Sequence, residues 1–438
     1  MVDKRAARYK WLIFALLSMA YLVVIFHRLA PAVVAVDMMQ DLNAGPALMG
    51  LLASAYFYPY ALMQFPVGLL ADSWGPRRTI TAFFVVASAG SLLLGMGSTI
   101  TEAMIGRLLV GMGVAPVMVH TMKIFTRWFR LQDFTFAMGI FMAVGGVGAL
   151  SASAPFAYLS NALSWRWCFV AIGLFGLVVT AGIWMFVRNR PEEMGFEPPE
   201  VMVSAGHTIG SNISLWRGIK TVIKSWRFWP LAIWFFFSSG VSFTFAGLWG
   251  GPYLMHVYGL TKPEAGQVLA MIAVGMVLGS PFLSYASGHL VTSRKAMLTW
   301  SSWIALILYS ILAFLPGGLS IPFLYLICFL LGIFGTAIVI IAFTLAKELF
   351  PLAIAGTATG LMNLFPFVGG ASMQIVSGIV LQSYEGVQAN YSADAYGQGF
   401  LLFVGANAIA LLATLLIKET SSPMQRTAPG GFHRTGTE

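Results

Sequence analysis

The chain has 438 residues, 58% hydrophobic and 9% charged, with a mean hydropathy of +0.81. A soluble domain carries about 25% charged residues, and apolar runs of about 20 residues select membrane helices over the roughly 10-residue alternation of outer-membrane strands, so a soluble enzyme and a β-barrel are both excluded. The net charge of +9 is dispersed over loops and forms no compact patch, which excludes a nucleic-acid partner.

Met1 to Lys10 holds four bases and one acid. The apolar run that follows is too long for a cleaved signal peptide. Twelve apolar stretches then follow, at 11–36, 47–70, 79–97, 103–125, 136–160, 167–187, 229–254, 265–289, 297–315, 321–345, 354–382 and 397–417. Between the sixth and seventh, 188–228 is polar and rich in charge and Pro, beginning Arg188-Asn189-Arg190-Pro191-Glu192-Glu193. This divides the chain into two six-helix units, 1–187 and 229–418, joined by a cytoplasmic linker, with a disordered cytoplasmic tail over 419–438. Of the 25 Lys and Arg, 21 lie on the side of the N-terminus, Arg166 and Lys262 lie on the other side, and Arg28 and Arg107 lie within helices. The excess of bases places both termini in the cytoplasm of a multi-pass inner (plasma) membrane protein.

The first stretch contains His27-Arg28, with Pro31 close behind. An intramembrane Arg costs at least ~2.5–3.5 kcal/mol on insertion scales and ordinarily faces a wet cavity. Arg28 therefore binds an anionic substrate, snorkels outward, or pairs with Asp37. His27 is one of the few groups here that can titrate near neutral pH, and it points about 100° away from Arg28 around the helix. It is either a hydrogen-bonded core histidine or a coupling residue. On the second stretch Tyr56, Tyr60 and Gln64 fall at i, i+4 and i+8 and share a face. This polar stripe walls a cavity or packs between helices. His120 and Lys123 lie near the cytoplasmic end of the fourth stretch; His120 is placed to line an inner vestibule, and Lys123 to snorkel.

The second half is almost free of intramembrane charge. Its seventh stretch ends in Trp249-Gly250-Gly251-Pro252-Tyr253, where Gly250, Gly251 and Pro252 can break the helix as a gating hinge, or Trp249 and Tyr253 form an interfacial belt. Asn363 and Gln374 on the eleventh stretch are the polar candidates to face Arg28. Cys168 and Cys328 read as small core residues. There is no phosphate-binding loop, no metal-ligand spacing and no catalytic constellation, so neither cofactor nor metal is expected.

Between the second and third stretches stands Gly68-Leu-Leu-Ala-Asp72-Ser-Trp-Gly75-Pro76-Arg77-Arg78. Gly68 lets a neighbouring helix approach closely, Gly75 and Pro76 turn the chain, Asp72 can bond a helix end or a base, and Arg77 and Arg78 hold the loop on the cytoplasmic side. The pattern G-x-x-x-D-x-x-G-x-R-R resembles the loop signature of the major facilitator superfamily. A weaker copy, Ser284-Tyr-Ala-Ser-Gly288-His289 with Arg294-Lys295, follows the eighth stretch. The resemblance implies an all-α integral membrane fold of twelve transmembrane helices in two six-helix bundles.

Tyr60-Ala-Leu-Met-Gln64-Phe-Pro66-Val-Gly68-Leu-Leu-Ala-Asp72 is similar to the organic-anion branch, the anion:cation symporters. Arg28 falls where that branch, and the similar organophosphate:phosphate antiporters, place a substrate-binding Arg. His27 stands where the symporters often have Asp. Arg107, Gly111, Ala115 and Pro116 also fit, with Val114 in place of an acid. In the superfamily Arg107 is a structural and coupling residue, which assigns it to the conformational latch with the loop residues. Gly145, Gly146, Gly148 and Ala154-Pro155 approach the antiporter signature, with Ala in place of one Gly.

The resemblance implies a secondary transporter, not an enzyme, that moves a small organic anion by alternating access. The substrate class is a carboxylate, a sugar acid or a phosphate ester. Arg28, Tyr56, Tyr60, Gln64, Asn363 and Gln374 would bind it, and His27, His120 or Asp37 would couple transport to protons or a counter-anion. The expected partners are that anion and the lipid bilayer, with the protein acting as a monomer. Efflux of lipophilic drugs or metabolites, which the many Phe, Met and Trp would suit, and a non-transporting membrane receptor are the alternatives.

Overall fold

The structure is a computed structural model and describes residues 4–197, 215–289, 291, 293–387 and 390–418. The linker interior at 198–214 and the expected tail at 419–438 lie outside the described residues.

Among those residues all regular structure is helical, as it must be for backbone that has only lipid around it. In chain order the helices are α1 (Lys4–Leu29, continued by Pro31–Asp41), α2 (Pro46–Ser73), α3 (Pro76–Met96), α4 (Ile100–Val114, continued by Val117–Trp128) and α5 (Leu131–Ser151, continued over 154–163). Then come α6 (165–186), α7 (Phe228–Tyr258), α8 (Lys262–His289), α9 (Arg294–Phe314), α10 (Ile321–Glu348), α11 (Leu352–Met362, continued by Leu364–Glu385) and α12 (Ala393–Leu416). α5 and α6 are separated by a kink at Ser164, at φ 73°.

Local signals start and stop these rods. Pro31, Pro46 and Pro76 occupy first-turn positions, where a missing N–H costs nothing. Thr99 and Glu102 close a capping box on α4. Gly259, at φ 63°, ends α7 in a left-handed cap that only glycine adopts without strain. One expectation is corrected here. Gly250–Pro252 do not break α7, because Gly250 keeps helical dihedrals and the chain runs on to Tyr258. The distortion around Pro252 is taken up one turn earlier by the wide turn Phe245–Trp249.

The twelve helices form two six-helix bundles with two different ends. We call the end that carries the start of α1, the α2–α3 turn and the end of α12 the basic face, and the opposite end the far face. At the far face one apolar core runs through both bundles, joining Ala30, Met49 and Trp165 of the first to Leu248, Tyr253 and Tyr396 of the second. Toward the basic face there are two cores. One is built from the first six helices plus Phe367 and Ala371 of α11, and the other from residues of the second half together with Val222 and Phe228 at the end of the linker.

Backbone contact follows the same division. At the far face a Cβ on Gly251 would stand 1.8 Å from the Ala32 carbonyl of the other bundle, and one on Gly50 would stand 2.2 Å from the Gln374 carbonyl. Toward the basic face, Cβ atoms built on Gly68 and Gly360 meet nothing within 4 Å. The close helix approach expected at Gly68 is therefore absent here, because the bundles stand apart at that end.

Candidate functional site

The site begins at a break in α1. Pro31 has no N–H to give to the carbonyl four residues back, which is that of His27. Arg107 of α4 supplies the missing donor, its Nη1 giving a hydrogen bond to the His27 carbonyl at 2.7 Å. The Arg107 side chain is 1% exposed and lies 5.1 Å from the Tyr56 ring. It acts here as an inter-helix clamp, fixing the direction in which residues 27 and 28 project.

The two neighbours then face opposite ways. His27 is buried inside the first bundle, stacked on Phe169 at 5.7 Å and edge-on to Phe26, and its Nδ1 has no hydrogen-bond partner. Arg28 is half-buried and projects between the bundles. Its guanidinium carbon lies 5.4 Å from the ring of Tyr60, 5.6 Å from Phe243 and 5.2 Å from Phe367. One of these rings belongs to the first bundle and two to the second. The Tyr56 hydroxyl lies beside the guanidinium and donates to the Val24 carbonyl at 3.3 Å. Among the described residues no carboxylate pairs with Arg28, and its Nε has no hydrogen-bond partner. A cation held only by ring faces and a phenol is under-compensated in a low-dielectric interior.

The remaining candidates are graded along the membrane normal. Gln64 is one turn from Tyr60 toward the basic face, and Asn363 sits at the joint between the two segments of α11. Both are half-buried. Gln374 lies on the far-face side of the rings and is 1% exposed, its Nε2 donating to the Phe243 carbonyl at 3.4 Å while its Oε1 has no partner. His120 does not line an inner vestibule in this state. It is fully buried, with Nδ1 against the Pro116 carbonyl at 3.0 Å, because α4 turns that side of its last segment into the bundle.

Asp37 is far from Arg28. It pairs with Lys262 at the start of α8, across the boundary between the bundles, with side chains 30% and 13% exposed. Arg77 lies back on α6, donating to the Trp184 carbonyl and resting 4.6 Å from its ring, and its own N–H donates to Asn189 Oδ1 at 2.8 Å. Gly75 turns there at φ 90°, and Arg78 is exposed. The Asp72 side chain lies outside the described set. Lys295 repeats the Arg77 contact in the second bundle, donating to the Leu415 carbonyl of α12 at 2.8 Å.

Sequence reasoning missed Phe57, Phe243 and Phe367, and it missed Lys262 as the partner of Asp37. A chain with 34 Phe offers no signal that singles out three of them. Lys262 is one of only two bases on the outer side, which was a visible clue to it.

Residues 11–374 match the family model described as Major Facilitator Superfamily. The chain belongs to that superfamily. It is therefore a multi-pass membrane transporter rather than an enzyme, and its bundles are the two halves of the major facilitator fold. It is similar to a "Probable galactarate/D-glucarate transporter" of Escherichia coli (strain K12), 24% identical with 95% of this chain and 94% of that protein covered. It is also similar to a "Probable sulfoacetate transporter" of Cupriavidus necator, 22% identical with 94% and 96% covered. Among solved structures it resembles an inward-facing, unoccupied bacterial homologue of the human lysosomal transporter Spinster. The TM-score there is 0.73 at 19% identity, covering 96% of this chain and 99% of that one.

Proposed function

We propose that this superfamily member moves a small organic anion by alternating access, with the anionic group held on Arg28. The observation that carries the reading is the unpaired guanidinium between the two bundles, within 5.2–5.6 Å of rings from both. An Arg fork can hold a carboxylate, sulfonate or phosphate by two parallel hydrogen bonds. Relatives named for galactarate or glucarate, sulfoacetate and hexuronate support an anion as cargo.

Tyr56, Tyr60, Gln64, Asn363 and Gln374 complete the binding region, and the units 1–187 and 229–418 rock against each other on the linker. The charge asymmetry makes the basic face cytoplasmic in an inner membrane. The described state is then closed outside and parted inside, with Asp37–Lys262 as an outer latch. His27, buried with a free Nδ1, is the nearest candidate to carry a coupled proton; His27→Gln flattens the pH dependence of uptake in that case, and an unchanged profile points to exchange against a counter-anion.

The deciding test is uptake in proteoliposomes. Arg28→Ala abolishes transport of every anion, and Arg28→Lys keeps expression but loses most affinity. Normal transport by Arg28→Ala, or a neutral or cationic lipophile as the best ligand, overturns the anion reading. The aromatic walls around Arg28 would then favour drug efflux.

A further inference from the structure

Resting on the anion reading, we infer that the preferred substrate carries its charge on an apolar, planar body, as an arylcarboxylate does, and that polyhydroxylated acids are disfavoured. The surroundings of Arg28 decide this. Phe57 stacks on Phe243 at 5.4 Å and 22° between planes, Phe243 on Phe367 at 5.8 Å and 22°, and Phe57 on Phe367 at 6.3 Å and 29°. Tyr60 closes against Phe367 at 4.3 Å. The three phenyl rings lie nearly parallel, so a flat group entering beside them extends the stack, whereas a puckered chain of hydroxylated carbons meets only ring faces and edges. Phe57 comes from the first bundle and Phe243 and Phe367 from the second, so the ring cluster that a flat body meets at the Phe243 edge is built by both halves.

Hydroxyls next to the charged group would find few partners. The Tyr56 hydroxyl is committed to the Val24 carbonyl. Gln374 is buried behind the rings with its amide N–H turned to the Phe243 carbonyl. Gln64 and Asn363 sit one turn toward the basic face from Tyr60 and Phe367, so they face the far part of a bound acid rather than its charged end. A hydroxyl stripped of water without a replacement bond weakens binding by ~10-fold or more. Phe243 and Arg28 are only half-buried, and their shared edge is where the flat body enters.

The test uses the purified full-length protein and needs no variant to begin. Melting temperature is followed against sodium benzoate, phenylacetate and cyclohexanecarboxylate, and against D-galactonate and D-glucarate. Benzoate and phenylacetate are expected to stabilise at concentrations ~10-fold or more below those the sugar acids require, and the effect is expected to vanish in Arg28→Gln. Phe367→Leu should reduce the preference for benzoate over cyclohexanecarboxylate several-fold, which reads the ring stack apart from the charge. Arg28-dependent stabilisation by the sugar acids at equal or lower concentration overturns this inference and leaves the anion transporter standing. Absence of any Arg28-dependent binding by the arylcarboxylates also overturns it. Binding only of neutral or cationic lipophiles, independent of Arg28, removes the anion reading and this inference together.

Discussion

The two faces of the molecule are built from the same helices and differ in how those helices meet. At the far face the bundles share one core, touch backbone to backbone through Gly251 and Gly50, and are tied by the Asp37–Lys262 pair. At the basic face there are two cores, the first joined from the second bundle only by Phe367 and Ala371, and Gly68 and Gly360 look into open space. Two bodies that are separately packed at one end and jointly packed at the other can exchange their ends by rocking without unfolding either. The joint end must then be separable, and its composition fits that need. It combines backbone contacts at small residues and one partly exposed ion pair, which are adjustable at low cost, with the apolar side chains of a core that both halves share.

The strongest way to break this comparison is to spoil the joint end. Gly251→Val places side-chain atoms where the Ala32 carbonyl stands, so far-face closure becomes impossible and transport should fall at least ~10-fold with insertion intact, since overpacking of this kind costs about 1–3 kcal/mol or more. Wild-type uptake in that variant would mean that the sealed far face is not a state of the cycle. Labelling of a reporter cysteine in the 383–387 segment by an impermeant thiol reagent locates the block.

The matching substitution at the parted end sharpens the contrast. Gly360→Leu adds a side chain where nothing lies within 4 Å. The thermal midpoint of purified protein should therefore change by no more than about 2 °C, while uptake falls because the basic face can no longer close. A large loss of stability would show that Gly360 is packed and that the two faces are more alike than they look.

The latch should give a smaller and reversible effect. Asp37→Asn or Lys262→Gln removes an ion pair worth about 1 kcal/mol at this exposure, shifting the balance between the two end states roughly 5-fold toward an open far face. The charge swap Asp37→Lys with Lys262→Asp should restore most of it, and high salt should mimic the single variants. Unchanged accessibility in both single variants would reduce the pair to a surface contact.

The smallest effects are expected within each bundle at the basic face. Arg77→Ala and Lys295→Ala each remove one hydrogen bond to the last turn of a neighbouring helix, Trp184 of α6 and Leu415 of α12, and Arg77→Ala also removes the contact with the Trp184 ring. Both should lower stability by about 0.5–1 kcal/mol and to a similar extent, which thermal melts can compare directly. A loss confined to Arg77→Ala would show that the second loop lacks the anchoring role of the first.

Much of this molecule is legible along the chain because the membrane makes it so. Lipid demands long apolar helices with internal hydrogen bonds, and those leave a one-dimensional trace in hydropathy, capping residues and basic loops. The twelve helices, the division at the linker and the isolation of Arg28 all follow from it. The loop signature pointed to the family, although the close approach expected at Gly68 belongs to a closed basic face that this structure does not show. The helix break read into Gly250–Pro252 is absent for a local reason: a glycine pair permits a bend and also permits another backbone to come close, and the Ala32 carbonyl selects the second use.

What only the tertiary structure decided is which residues share a space. Asp37 and Lys262 lie 225 positions apart and meet because α1 ends and α8 begins at the same height on opposite bundles. His27 and Arg28 are adjacent, yet one is packed on Phe169 and the other is caged between the halves, because Arg107 holds the carbonyl that Pro31 releases. Phe57, Phe243 and Phe367 are ordinary apolar residues in any hydropathy trace. Whether such a ring faces lipid, core or cavity depends on the rotation of its helix, and that rotation is set by neighbours distant in sequence, so no local pattern records it.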